Sequence, residues 1–158
     1  EPGTCPAIAS AIKSSDLDGL VAELGKKPTT LNTSCIGTGM SAQRPLVLVV
    51  TRFDNDIARQ ISKKDGTLAE HNHRMEQMLA ALVKAGAEVN SGGAADQPTP
   101  LALAAMSESP TAIQALLKVG ADPNVKSADG QTALKIAQAN GPSSAAIVEL
   151  LKKAGATE

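Results

Sequence analysis

Residues 82–90 read LVKAGAEVN and residues 116–124 read LLKVGADPN, so one phrase returns after 34 positions. Each phrase closes an apolar triplet at i, i+3 and i+4: Leu79-Leu82-Val83, Ile113-Leu116-Leu117 and, after a further 34 residues, Ile147-Leu150-Leu151. That spacing puts three side chains on one face of a helix, and the constant period predicts three amphipathic helices with the same apolar stripe. The pairs Gly86-Ala87, Gly120-Ala121 and Gly155-Ala156 follow directly. A glycine just past a helix end takes the left-handed conformation that a Cβ would penalise.

Working outward, Thr99-Pro100-Leu101 and Thr132-Ala133-Leu134 stand 33 residues apart, about a dozen residues before the second and third triplets. Threonine can cap a helix through its hydroxyl, proline is tolerated at the first helical position, and leucine starts the buried stripe. Arg44-Pro45-Leu46 is a weaker copy of the same signal. Ser109-Pro110 and Gly141-Pro142 break the chain and start a second helix. The unit is therefore helix, short turn, helix, glycine, extended loop. The opening segment fits it, with Leu17, Leu20 and Val21 repeating the triplet before Gly25.

These residues resemble the ankyrin repeat: a period near 33, T-P-L before the first helix, and LVKAGAEVN and LLKVGADPN after the second. LLKKAGATE (150–158) reads as a truncated copy with one extra lysine. No repeat carries the full T-P-L-H-x-A, since Leu101 is followed by Ala102 and Leu134 by Lys135. The resemblance implies an all-α solenoid of about four repeats in one domain over residues 1–158. Their expected limits are 5–30, 31–89 with an inserted arm at 51–74, 90–123, and 124–158. A unit of this kind cannot bury its stripe alone, so neighbours must stack.

Composition agrees with that reading. The 158 residues hold 27 alanines, 16 leucines and one aromatic, Phe53. Such a chain argues against immunoglobulin-like sandwiches and RNA-recognition sheets, which depend on aromatic side chains. Small residues such as Ala102, Ala104, Ala105 and Ala137 suit closely packed helices. Fifteen basic against sixteen acidic residues, without a basic block, argue against nucleic acid as a partner. No apolar run reaches the roughly 18–20 residues of a membrane span. Cys5 and Cys35 are the whole thiol inventory. The chain opens on Glu1 without a Met, which we read as a removed signal sequence or a cloning boundary. An even cysteine count is then compatible with one disulfide in an oxidising compartment, the alternative being two unrelated buried thiols. A Cys5–Cys35 bond would close a loop of about 30 residues and stabilise by roughly 3–4 kcal/mol.

Two departures from the period stand out. Leu46 to Leu79 spans 33 residues where Leu101 to Ile113 and Leu134 to Ile147 span 12 and 13, so about twenty residues are inserted in the second repeat. The insert carries Arg52, Phe53, Asp54, Asp56, Arg59 and the His71-Asn72-His73 triplet, and is expected to lengthen two helices into an arm. The first finger is long as well: Val21 to Arg44 spans 23 residues against 16 for Val83 to Thr99 and 15 for Leu117 to Thr132. It carries Ile36, Thr38 and Met40. Insertions in a solenoid usually mark a binding face.

Strings that invite an enzymatic reading are weak. Ser10-Ala11-Ile12-Lys13 matches S-x-x-K but has no K-T-G or S-D-N partner. His71 and His73, at i and i+2, lie on different sides of a helix and cannot chelate one metal as an i, i+4 pair does. Asp54 and Asp56 lack further carboxylates at loop spacing. Gly37-Thr38-Gly39 lacks the third glycine of a dinucleotide fingerprint. The competing hypothesis, a small enzyme or metal-dependent protein using the insert, thus has no defensible active site, cofactor or metal behind it. The expectation is a protein-binding module, a monomer when unbound, with one protein partner contacted through Ile36, Thr38, Met40, Arg52, Phe53, Asp54, Asp56 and Arg59. The resemblance extends to small periplasmic bacterial ankyrin proteins that act as inhibitors or immunity proteins. It implies a partner of the penicillin-binding type, a peptidoglycan peptidase. A periplasmic scaffold or stress-protection partner and a cytoplasmic adaptor are the alternatives.

Overall fold

A computed structural model describes residues 5–26, 28, 31, 44–60, 68–90, 98–127 and 129–157, with the backbone alone for 53–60 and 68. Among the described residues every regular element is helical. The chain divides into two compact units, Glu1–Glu88 and Val89–Glu158.

The first unit holds α1 (Cys5–Lys13), α2 (Leu17–Gly25), α3 (Pro45–Gln60) and α4 (Leu68–Lys84). Helix α1 packs on α2 and α3, and α4 packs on α3 and α2. First helices thus stack on first helices and second on second. Ile8, Ile12, Leu20, Leu46, Val49, Val50, Met75, Met78, Leu79 and Leu82 fill the interior. The second unit repeats the arrangement with α5 (Pro100–Met106), α6 (Pro110–Lys118), α7 (Ala133–Ala139) and α8 (Ala145–Lys153). Here α5 packs on α6 and α7, and α8 on α7 and α6. Its core is Leu101, Ala104, Ala105, Ile113, Leu116, Leu134, Ala137, Ile147 and Leu151. Ala102, Ala104, Ala105 and Ala137 are all buried, as the alanine-rich composition requires of closely approaching helices.

The caps follow the sequence closely. Thr99 Oγ1 accepts the Ala102 N–H at 3.2 Å and Thr132 Oγ1 the Lys135 N–H at 3.3 Å. Ser109 Oγ accepts the Ala112 N–H at 3.3 Å, and Asp16 Oδ1 the Gly19 N–H at 2.9 Å. Each satisfies one N–H that the first helical turn leaves unpaired. At the other ends Gly86, Gly120 and Gly155 have φ of 107°, 96° and 97°. The next residue's N–H reaches back five positions in every case: Ala87 to the Leu82 carbonyl, Ala121 to Leu116 and Ala156 to Leu151, at 2.9, 3.0 and 2.9 Å.

Those last bonds correct the register expected for the final helix. The counterpart of Leu116 is Leu151, fully buried, whereas Leu150 is half-buried. Positions i+3 and i+4 both fall on a helix face, and the terminating glycine decides between them. In α2 the buried pair is Leu20 and Leu24, while Leu17 is half-buried and Val21 exposed. At Gly141-Pro142 a 3₁₀ turn, Gly141–Ser144, precedes α8, so the second helix begins later than the proline suggests.

Candidate protein-binding surface

The insertion is partly taken up as helix. Helices α3 and α4 run 16 and 17 residues, against 7 and 9 for α5 and α6. Phe53, Asp54, Asp56 and Arg59 all fall within α3, and their side chains lie outside the described residues. Arg52 is half-buried, and its Nε donates to the Lys13 carbonyl at 3.1 Å. That carbonyl belongs to the last turn of α1, where unpaired carbonyls and the negative end of the helix dipole attract a cation. Arg52 therefore ties the second repeat to the first. Ile36, Thr38 and Met40 lie outside the described residues, as does Cys35. Cys5, at the start of α1, is not a free thiol.

The sequence marks Arg44 as part of a weaker copy of the cap signal, but does not show that its side chain is buried. Arg44 precedes α3 where Thr99 and Thr132 precede α5 and α7, and its carbonyl accepts the Leu48 N–H at 2.9 Å as theirs accept Leu103 and Ile136. The side chain is only 2% exposed, and Nε and Nη2 have no hydrogen-bond partner among the described residues. Burial pulls the guanidinium below the usual arginine range, and the Glu88 carboxylate acts against that pull. A hydroxyl that caps a helix is here replaced by a cation that can only donate. The signal was available: Arg44 aligns with two threonines in the repeat.

Loops in the second unit are joined by asparagines of the repeated phrase. Asn90 Oδ1 accepts the Asp122 N–H at 2.8 Å. One repeat later Asn124 Oδ1 accepts the Thr157 N–H at 2.8 Å, while its Nδ2 donates to the Gly155 carbonyl at 3.0 Å. Between the helix pairs, Asn140 Nδ2 donates to the Ala105 carbonyl at 3.0 Å and Ser143 Oγ to Glu108 Oε1 at 3.0 Å. Helices α5 and α7 each carry two apolar residues that the core does not fully bury. Leu103 and Ile136, each four residues after the capping threonine, are half-buried, and Met106 and Ala139, each seven after it, are exposed.

The chemistry-bearing strings are dispersed. Ser10 and Lys13 are both exposed on α1, and Ser10 contributes its carbonyl to the Ser14 hydroxyl. His71 is half-buried and His73 exposed on α4, and no group of three or more His, Cys, Asp or Glu among the described residues is placed to hold a metal. Among those residues no helix is long and apolar enough to cross a membrane.

Recurring helix pairs, left-handed glycines and asparagine-braced loops agree with comparison to known proteins. The family model of ankyrin repeats matches residues 67–157 as three copies, more than half of the chain. No curated protein matches the sequence. Three matched repeats, with their caps and terminators in the places the period demands, make this chain a member of the ankyrin-repeat family.

Proposed function

We propose that this protein is an exported ankyrin inhibitor that binds one protein partner, a peptidoglycan peptidase of the penicillin-binding type, and blocks it. The coarser part stands on the family: ankyrin repeats form a protein–protein interaction module. The observation that carries the finer part is the departure of the 31–89 repeat from the common length, with α3 and α4 about twice as long as α5 and α6. Extra length beside a repeated frame is where a solenoid gains a partner-specific contact. The long first finger supplies Ile36, Thr38 and Met40, and the arm at 51–74 supplies Arg52, Phe53, Asp54, Asp56 and Arg59. Ile36 and Met40 are the apolar anchors among these residues; such anchors bind when a partner's pocket desolvates them, and a substrate groove is such a pocket.

Export is supported by the cysteine usage: Cys5 is not a free thiol, and Cys35 is the one other cysteine in the chain. Mass spectrometry under non-reducing conditions tests the pairing, and two alkylatable thiols would favour the cytoplasm. The inhibitor reading is tested by competition. A peptidase retained on the immobilised protein should be displaced by a peptidoglycan fragment, and a fragment that binds the complex without displacing the enzyme would rule out occupation of the groove.

A further inference from the structure

Met106 ends α5 and is 57% exposed, while Met75 and Met78 of α4 are 0% exposed. Burial shields a thioether from solutes as it shields any core atom, whereas an exposed one meets them directly. Met106 also stands clear of the packing that holds the second unit together, which runs through Leu101, Ala104, Ala105, Ile113 and Leu116.

We propose that Met106 is a modification site, a thioether that takes up one oxygen atom from hydrogen peroxide without unfolding the protein. A sulfur lone pair attacks one peroxide oxygen, the O–O bond breaks as the S–O bond forms, and after proton transfer the other oxygen leaves as water. Sulfur is oxidised by two electrons and the peroxide is reduced by two. The product is a polar, chiral sulfoxide in place of a flexible apolar side chain. It sits on α5 beside Leu103, with Ile136 and Ala139 at the matching positions of α7, and turns an exposed member of that set polar. A loss of apolar docking there would follow; that consequence, unlike the oxidation, rests on reading the chain as a protein-binding module.

The test is a time course of the intact full chain in dilute hydrogen peroxide, followed by tandem mass spectrometry of its peptides and by thermal melting. Expected are a one-oxygen adduct on the Met106 peptide forming at least about tenfold faster than on Met75 or Met78, an unchanged Tm at full Met106 conversion, and loss of that adduct in Met106→Leu. Oxidation of Met106 at the rate of Met75 and Met78 would overturn the proposal. So would a fall in Tm that tracks the adduct. Neither readout involves a partner, so failure here is distinct from failure of the binding reading.

Discussion

Arg44 and Thr99 occupy the same place in two repeats, and physical chemistry treats them oppositely. Thr99 gives the first turn of α5 an acceptor, while Arg44 puts a 2%-exposed cation at the start of α3 with two nitrogens unpartnered among the described residues. Leaving buried donors unpaired costs about 1–3 kcal/mol, and a threonine cap contributes about 0.5–2 kcal/mol. Arg44→Thr should therefore raise the stability of the first unit by about 1–3 kcal/mol in a urea titration with an unchanged m-value, and a loss of stability would show that the guanidinium is satisfied. Gly120 is the reverse case. A Cβ added there would meet nothing within 4 Å, so the cost of Gly120→Ala is purely that of its φ of 96°, about 1–2 kcal/mol of destabilisation in the same assay. The terminating glycines were legible because only one residue type suits that φ. Ser15 and Glu108, at φ of 56° and 52°, end α1 and α5 in the same left-handed way without glycine. Nothing in their identity announces it; tertiary context outweighs a local cost of this size.

Among the elements, the paired helices and their order followed from the 34-residue period, because an apolar stripe and its caps recur together. Boundaries were less legible. In α8 the stripe is Ile147 and Leu151, since i+3 and i+4 are equivalent on a helix face until the glycine fixes the end. Asparagine in the repeated phrase was read as a family mark, and only the fold shows that it spans repeats, because its partners lie 31 to 33 residues away. Asn124→Ala removes an acceptor for the Thr157 N–H and a donor to the Gly155 carbonyl. The loss should be about 1–2 kcal/mol, with hydrogen exchange at the Thr157 amide accelerated while the core amides of α5 stay protected. Equal protection of Thr157 in the variant would mean that the asparagine does not hold the loop. Of the candidate site, Arg52 was legible as a charged residue of the insert but not as a cation on the α1 terminus, a contact 39 residues away in sequence that no local pattern encodes.

At the scale of the whole molecule, repeated helix pairs build each of the two units, and on the function proposed above the departures from the repeat make the contacts to a partner. Phe53, the one aromatic residue in the sequence, falls in the lengthened α3. On that proposal the 21–44 interval and the long helix pair enter the partner's groove, and occupying a groove excludes substrate without touching the chemistry. The most direct measurement is therefore steady-state kinetics of a peptidoglycan peptidase with increasing amounts of this protein. Occupation of the groove predicts a rising apparent KM for the peptidoglycan substrate with kcat unchanged, relieved by excess substrate. Unaltered kinetics at saturating protein, or a falling kcat at constant KM, would contradict it.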